Sequence, residues 1–373
     1  METKGTLGFS EEQAQLLEVA ENFCRDKSPI DQVRALMESE LGYDDAVWQE
    51  IANLGWLAIA IPEEYGGVGL DLAEVVPVVE QMGRRMMAGP FVSTTIAAQA
   101  LLAGGTETQK QTILPLLVEG ACATIALSEG NADWNLSNIE ARAFKETDGI
   151  TLSGMKTLVA DAVCASWIIV SVICEDNVRL ALLDAKNIPQ GALERETIID
   201  ETKRSYKLRL DGIVIDEDSL LDEGRTREAL QHIHLVAALL ISAEMCGGTR
   251  GAIDYTVAYL QTRKQFGKVI GSYQALKHPI VDAHVSYEQA RSHLYSAAHN
   301  FGQQGEGEVA TRMAKAQAGE AFSFAADRSI QFHGGFGFTY ECDAQLYRRR
   351  SIWSENMYGD AIYHRKRLAD LLF

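Results

Sequence analysis

The stretch that decides the fold is Gln331-Phe332-His333-Gly334-Gly335-Phe336-Gly337, and Arg263-Lys264-Gln265-Phe266-Gly267 precedes it along the chain. Both segments fall within long stretches of helical periodicity, where a glycine normally costs about 1 kcal/mol relative to alanine. Three glycines within four positions, beside an amide and an imidazole, indicate backbone that comes close to a ligand. The sequence therefore predicts a ligand-binding site in the C-terminal part of the chain.

The composition is that of a globular protein with two or three domains. The chain has 373 residues, of which 47% are hydrophobic and 23% are charged. A net charge of −18 argues against nucleic acid or an anionic membrane as partner, and no apolar run of membrane-spanning length is expected. Six cysteines without CxxC spacing and an N-terminus without an apolar leader favour a cytoplasmic location. The eight histidines form no ligand cluster, so we expect no metal site.

Hydrophobic periodicity divides the chain into three parts. Residues 1–120 show helical spacing, which a loop rich in proline and glycine at 61–69 interrupts. Short β-rich runs separated by turn residues then fill 121–225 and predict a small, mostly antiparallel β-domain. Helical spacing returns over 226–373, where Pro279 is assigned to a turn. The sequence therefore predicts an α+β fold with these three segments as its domains.

An ordered set of motifs resembles the acyl-CoA dehydrogenase family over nearly the whole chain. The C-terminal pair is the most specific, because RxxFG is followed seven residues later by Gln274 and then by QxxGGxG. The resemblance implies an N-terminal helical domain, a middle β-domain and a C-terminal domain like a four-helix bundle. The supporting segments are Ile61-Pro62-Glu63-Glu64-Tyr65-Gly66-Gly67, Leu127-Ser128-Glu129-Gly130 and Gly154-Met155-Lys156.

The resemblance also implies a reaction, the FAD-dependent α,β-dehydrogenation of an acyl-CoA thioester. In that family a carboxylate removes the α-proton while the β-hydrogen leaves as hydride to the flavin. Hydrogen bonds to the thioester carbonyl stabilise the developing enolate. The implied partners are the acyl-CoA substrate, further acyl-CoA dehydrogenase-like subunits of a tetramer, and electron-transfer flavoprotein as electron acceptor.

The same resemblance assigns cofactor contacts to the two glycine-containing segments. In the family they reach across a dimer interface to the adenosine-diphosphate part of a neighbour's FAD, so Arg263 would pair with pyrophosphate. Arg263 could instead form a surface ion pair, and Gly334 and Gly335 could instead serve close helix packing. The implied cofactor-binding residues are Arg263, Gln265, Phe266, Tyr273, Gln274, Gln331, Phe332, His333, Gly334 and Gly335.

The family's catalytic carboxylate does not fall where its pattern places it. The usual glutamate position coincides with Met357 when counted without a gap, and with Tyr358 when anchored on Gly359. A second family position, 26 residues before Arg263, holds Ala237. Neither place offers a carboxylate, so the catalytic base is unassigned.

The segments that would hold this chain's own flavin also depart from the family. Ala160 stands at the threonine that binds flavin N5 and Leu158 at the expected tryptophan, while Asn131-Ala132-Asp133-Trp134-Asn135 replaces glycine-serine-aspartate. The chain therefore resembles the base-lacking subunit of bacterial α2β2 acyl-CoA dehydrogenases, several of which act on steroid side-chain CoA esters. Asp200-Glu201-Thr202-Lys203-Arg204 and the segment 359–365 resemble that branch as well.

Two alternatives remain. The chain could form a self-sufficient homotetramer with a relocated base, for which the weak candidates are Glu355, Asp360 and Glu244. It could instead be a scaffold that keeps the fold without flavin chemistry.

Overall fold

The structure is a computed structural model that describes residues 11–130, 133–135, 138–147 and 149–373. Its elements follow the predicted order of helices, strands and helices. The first helices are α1 (Glu11–Lys27), α2 (Ile30–Met37), α3 (Asp45–Asn53), α4 (Leu72–Arg84), α5 (Phe91–Gly104) and α6 (Glu107–Val118).

Nine strands follow among the described residues in the middle of the chain. They are β1 (Ala123–Ala126), β2 (Arg142–Glu146), β3 (Gly149–Ser153), β4 (Met155–Ala160), β5 (Trp167–Cys174), β6 (Asn177–Asp184), β7 (Leu193–Arg195), β8 (Ser205–Arg209) and β9 (Val214–Ile215). One sheet has the order β1-β5-β2-β3-β9, with β6 also paired to β5. A second sheet has the order β4-β8-β7. The pairs β1–β5 and β2–β5 are parallel and the others are antiparallel, as the mostly antiparallel prediction requires.

The last part of the chain is again helical, apart from one short hairpin. Its elements are α7 (Thr226–Thr262), β10 (Lys264–Gln265), β11 (Lys268–Val269), α8 (Gln274–Asn300), α9 (Glu306–His333), α10 (Ala344–Asn356) and α11 (Ala361–Leu372). Pro279 lies inside α8, so its assignment to a turn was wrong. Proline removes one backbone donor, and the other contacts of a 27-residue helix outweigh that loss here.

The chain divides into two compact units. The first takes the chain to Ala35, Leu72–Met87 and Ala238–Phe373, and the second takes Leu36–Asp71 and Ala88–Ala237. The division of the sequence into three domains, with its two internal boundaries, remains a prediction.

In the first unit, α4 and α7 are in backbone contact. A Cβ built on Gly247 would lie 1.8 Å from the carbonyl oxygen of Glu80, so this position of α7 accepts only glycine. The Glu80 carboxylate is buried, and it accepts hydrogen bonds from the Tyr295 hydroxyl at 2.6 Å and the Arg291 Nε at 2.7 Å. A buried carboxylate needs such partners, and these side chains of α8 fix α4 against α8.

In the second unit, the sheets enclose an apolar core that includes Leu152, Val159, Ile168 and Leu208. Arg204 is buried beside this core, at 2% exposure, and its guanidinium donates to six backbone carbonyls. Four of these carbonyls belong to residues 36–40, at the end of α2 and in the connection that follows it. One arginine side chain therefore holds the end of α2 against the turn that precedes β8.

One helical span among the described residues, Glu223–Thr262, is long and apolar enough to cross a membrane, although no such run was expected. Of its most apolar window, 83% is buried within the protein. This span includes α7, and its apolar character is that of a core helix.

Candidate active site and cofactor-binding surface

The first predicted binding segment forms a hairpin, not part of a helix as expected. Helix α7 ends at Thr262, and the Arg263 N–H donates to the Tyr259 carbonyl at 2.9 Å. Strands β10 and β11 pair antiparallel around Phe266 and Gly267, whose φ angles are +51° and +77°. Two successive residues with positive φ make the type I′ turn that suits a two-residue hairpin. Phe266 is 91% exposed at its tip.

The second segment lies at the end of α9. Gln331 is exposed in the last turn, and Gly334 leaves the helix with φ +61° and ψ −138°, a conformation open to glycine. A Cβ on Gly334 or Gly335 would meet no described atom within 4 Å, so close helix packing does not explain these two glycines. Gly337 is the position where the backbone is crowded, since its Cβ would lie 2.3 Å from the Ile330 carbonyl.

A small apolar cluster joins these segments. Its buried members are Leu260 at the end of α7, Ile270 after the hairpin and Phe332 at the end of α9. Tyr273 packs against the cluster, and its hydroxyl donates to the Gln265 carbonyl at 3.3 Å. The fold thus brings together the segments that the sequence singled out. Most of the predicted contact residues are exposed on them, namely Arg263, Gln265, Phe266, Gln274, Gln331, Gly334 and Gly335.

His333 is buried at the base of this surface. Its Nδ1 lies 2.7 Å from the Ser329 carbonyl, and its ring stacks on Tyr259 at 4.2 Å and on Tyr255 at 4.8 Å between centroids. Burial lowers the pKa of the His333 imidazole, so the ring is neutral near pH 7. Its buried Nε2 has no hydrogen-bond partner among the described residues, which is a costly arrangement unless a group from outside completes it. The two tyrosines were not identified from the sequence, although Tyr259 lies four residues before Arg263.

The turn between α10 and α11 carries the two residues found at the expected base position. Met357 and Tyr358 are 4% and 6% exposed, and Tyr358 has φ +59°. The Tyr358 carbonyl lies 3.1 Å from the His364 Nε2. The other expected position, Ala237, lies fully buried in α7.

A buried lysine missed by the sequence analysis anchors this turn. Lys315 of α9 is 1% exposed, and its Nζ donates to the carbonyls of Glu355 at 2.9 Å and Gly359 at 2.8 Å. Burial lowers the pKa of the Lys315 ammonium to about 7. The two carbonyls bracket Met357 and Tyr358, so Lys315 fixes the position of both residues. The sequence signal for this role is that Lys315 lies among alanines in α9, which suggests a helix face that packs against other elements.

The three candidate carboxylates have different surroundings. Glu244 is 3% exposed and is bound by the Arg350 guanidinium at 2.5 Å, which makes it a structural ion pair. Asp360 caps α11 by accepting the Tyr363 N–H at 2.7 Å. Burial raises the pKa of the half-buried Glu355 carboxyl, while Lys315 and Arg348 act against that shift. Of the three, Glu355 has the surroundings that best suit a general base.

The middle sheets provide a rigid frame at the segments expected to hold a flavin ring. Lys156 and Glu129 form a buried pair at 2.5 Å, and Glu129 also accepts the N–H groups of Glu140 and Ala141. Next to this pair, β4 has an irregular register at Leu158, whose φ is +55°. The Leu158 N–H is bound by the Glu196 carboxylate at 2.9 Å.

The side chains on that frame differ from those that the family resemblance leads us to expect. Leu158 and Ala160 offer neither an aromatic ring nor a hydroxyl. The replaced loop is described only in part, because Asn131 and Ala132 lie outside the described residues. Asp133 accepts the Asn135 N–H within it, and Trp134 is buried. No cluster of three metal-ligating side chains occurs in the part of the chain that the structure describes.

Sequence and structure comparisons place the chain among known proteins. Family models described as the acyl-CoA dehydrogenase N-terminal and C-terminal domains match residues 10–121 and 229–371. Acyl-CoA dehydrogenase IpdE2 of Mycolicibacterium smegmatis is 30% identical over 98% of this chain and 100% of its own length. Acyl-CoA dehydrogenase FadE12 of Mycobacterium tuberculosis is 29% identical over 79% of each chain.

Among solved structures, a Tcur3481-Tcur3483 steroid ACAD variant is 29% identical with a TM-score of 0.87, covering 98% of each chain. Glutaryl-coenzyme A dehydrogenase has the same fold, with a TM-score of 0.90 at 23% identity over 98% of this chain and 95% of its own. The motifs, the helix–sheet–helix order and these matches agree. The chain therefore belongs to the acyl-CoA dehydrogenase family, whose members are FAD-dependent oxidoreductases acting on the CH–CH group of acyl-CoA thioesters.

Proposed function

We propose that this chain is the base-lacking subunit of a heterotetrameric acyl-CoA dehydrogenase and contributes to an FAD site held mainly by its partner. The observation that carries this proposal is the turn from α10 to α11. This turn is buried, and the Lys315 ammonium holds it through two backbone carbonyls. Met357 and Tyr358 stand there at the position where the family resemblance leads us to expect a glutamate. Ala237 leaves the second family position without a carboxylate as well.

The residues of this chain fit the dinucleotide end of FAD. Arg263 offers an exposed guanidinium suited to pyrophosphate, and the open backbone at Gly334 and Gly335 gives a flat ligand room to approach. The buried Nε2 of His333 supports a ligand or a partner chain on this surface, because it has no hydrogen-bond partner within the described residues. FAD, when bound, accepts the hydride from the substrate.

The residues at the flavin end fit less well. Leu158 and Ala160 cannot stack on or hydrogen-bond to an isoalloxazine ring through their side chains. The Leu158 N–H is already bound by Glu196. These observations favour a chain that lends contacts to a neighbour's flavin over one that holds a flavin of its own.

A relative supports the heteromeric part of the proposal. The Tcur3481-Tcur3483 steroid ACAD is named for two proteins and shares 29% identity with this chain. We propose a steroid-derived acyl-CoA ester as substrate, a second acyl-CoA dehydrogenase-like chain as partner, electron-transfer flavoprotein as acceptor and a cytoplasmic location.

The test is to express the chain alone and together with the open reading frame beside its own. Flavin absorbance in the visible and acyl-CoA-dependent dye reduction are measured for both preparations. We expect flavin and activity only in the co-expressed assembly. Yellow, active protein from this chain alone would falsify the base-lacking role.

A homotetramer with a relocated base is the second candidate, because burial raises the pKa of the Glu355 carboxyl. Active protein from this chain alone that loses activity on Glu355→Gln would establish this alternative. A chain that carries no flavin in either preparation would instead be a scaffold of the same fold.

A further inference from the structure

One aromatic residue, Tyr259, connects the two segments of the proposed dinucleotide surface, which are the hairpin that begins at Arg263 and the end of α9 at Gly334 and Gly335. The Tyr259 carbonyl accepts the N–H of Arg263, the first residue of the hairpin segment, at 2.9 Å. The Tyr259 ring stacks on His333, the last residue of α9, with centroids 4.2 Å apart and planes 29° apart. His333 immediately precedes Gly334. Tyr259 therefore contacts Arg263 through its backbone and the end of α9 through its ring.

The other contacts of His333 make it a fixed point. Its Nδ1 carries the proton and donates to the Ser329 carbonyl, because a carbonyl oxygen can only accept. Tyr255 stacks on the ring at a centroid distance of 4.8 Å and a plane angle of 17°. The side chain is 3% exposed, so it has little room to change rotamer. A displacement of the Tyr259 backbone would therefore move Arg263 relative to His333 and the end of α9.

The hairpin is short, with two residues in each strand and an exposed turn. The Ile270 N–H donates to the Arg263 carbonyl at 2.8 Å, and the Tyr273 hydroxyl donates to the Gln265 carbonyl at 3.3 Å. The Tyr259–His333 stack adds a connection to the end of α9, beside the apolar cluster of Leu260, Ile270 and Phe332. A ligand that bridges Arg263 and Gly334 binds with a smaller ordering cost when the separation of these two residues is set beforehand.

We propose that Tyr259 and His333 are positioning residues for dinucleotide binding, because their stack sets the placement of Arg263 relative to Gly334 and Gly335. This inference rests on the proposed function, since it takes the exposed surface to be the contact for FAD.

The experiment measures the FAD affinity of the purified, flavin-loaded assembly, by following flavin release on dilution and its rebinding when FAD is added. Tyr259→Leu removes the stack and is expected to weaken FAD binding by about three- to tenfold. Tyr259→Phe restores the ring and is expected to bring the affinity back to within about twofold of wild type. Ile253→Val, a core truncation of α7, controls for a general loss of stability and is expected to leave the affinity at the wild-type value.

A double-mutant cycle tests the stack itself. His333→Asn keeps a donor near the Ser329 carbonyl but removes the ring together with its Nε2, so it should weaken FAD binding at least as much as Tyr259→Leu. The double variant should bind FAD no more weakly than His333→Asn alone, since that variant already removes the stack. Additive losses, or a Tyr259→Phe variant as weak as Tyr259→Leu, would overturn the inference.

Arg263→Ala, measured in the same series, distinguishes a failure of the positioning role from a failure of the proposed function. If Arg263→Ala weakens FAD binding and Tyr259→Leu does not, the positioning role fails while the proposed function stands. If neither variant changes the affinity, the surface is not a contact for FAD and both proposals fail.

Discussion

The proposed dinucleotide surface and the turn between α10 and α11 lie in the same unit of the molecule, yet they differ in exposure and in sequence. The surface is exposed, and its side chains match the family motif although the core of this chain does not require most of them. The turn is buried and anchored by Lys315, but its side chains depart from the family motif. Internal packing is enough to account for the second set of residues, whereas the first set is what the proposed ligand contact would require.

The largest expected effect concerns Glu244, a candidate base whose carboxylate lies in a buried ion pair with Arg350. Glu244→Ala leaves the buried Arg350 guanidinium without its 2.5 Å partner and should reduce the free energy of unfolding by about 3–5 kcal/mol. Urea unfolding measures this loss. The matched control is Glu320→Ala, which breaks the exposed pair with Arg365 and should cost less than about 1 kcal/mol. Equal losses in the two variants would contradict the structural role of Glu244.

A smaller effect concerns Lys315 and pH. Burial lowers the pKa of the Lys315 ammonium to about 7 in the folded protein, against an ordinary value of 10.5. Between these two pH values, the protein therefore takes up a proton when it unfolds. Stability should therefore rise with pH, and the wild type should gain about 2 kcal/mol over Lys315→Met from pH 7 to pH 9. Glu355 and Asp360 are the charged groups that oppose the shift. The free energy of unfolding is measured by urea unfolding at each pH. The control is Lys366→Met, at an exposed position, whose free energy of unfolding should depend on pH as that of the wild type does. If the free energies of unfolding of the wild type and Lys315→Met changed in parallel with pH, Lys315 would not be a buried titrating ammonium.

On the proposed dinucleotide surface, Arg263→Ala should weaken FAD binding by the assembly about tenfold. The variant loses a charge-assisted contact to the pyrophosphate, which corresponds to about 1.4 kcal/mol. Titration with FAD measures the change. Arg225→Ala removes another exposed arginine, whose Nε lies 3.8 Å from the Asp222 carboxylate, and this variant should bind FAD as the wild type does. An unchanged affinity for Arg263→Ala would remove the main support for a cofactor contact on this surface.

The smallest effect is expected for Glu355→Gln. If the base belongs to the partner subunit, this variant should change kcat/KM of the assembly by less than about twofold. Removal of a general base costs about a hundredfold or more, so a loss of that size would transfer the base to this chain. Asp360→Asn, at the cap of α11, serves as the comparison because its carboxylate is engaged by the backbone of that helix.

The sequence predicted the order of helices and strands because periodicity reports directly on which faces are buried. It misplaced the first binding segment within a helix, since Arg263 to Gly267 turn back in a hairpin only two residues long on each side. Periodicity over so short a length cannot distinguish a hairpin from a helix end. Pro279 was misassigned for a related reason, because the length of α8 outweighs a single missing donor.

The parts of the candidate site that depend on residue type and spacing could be predicted from the sequence. The parts that depend on contacts between residues far apart along the chain could not. The motif glycines and Arg263 could be found from spacing alone. The anchoring role of Lys315 could not, because it donates to carbonyls 40 and 44 residues away along the chain. The Tyr259–His333 stack was hidden for the same reason, since it joins the ends of two different helices.

The exposed phenylalanines have a consequence for handling the protein. Phe266 and Phe338 are 91% and 81% exposed, so the isolated chain presents apolar rings to solvent. A net charge of −18 opposes self-association by mutual repulsion, and that repulsion is screened within about 8 Å at physiological ionic strength. Dilute buffer should therefore keep the separate chain dispersed during concentration, whereas added salt should promote its clustering.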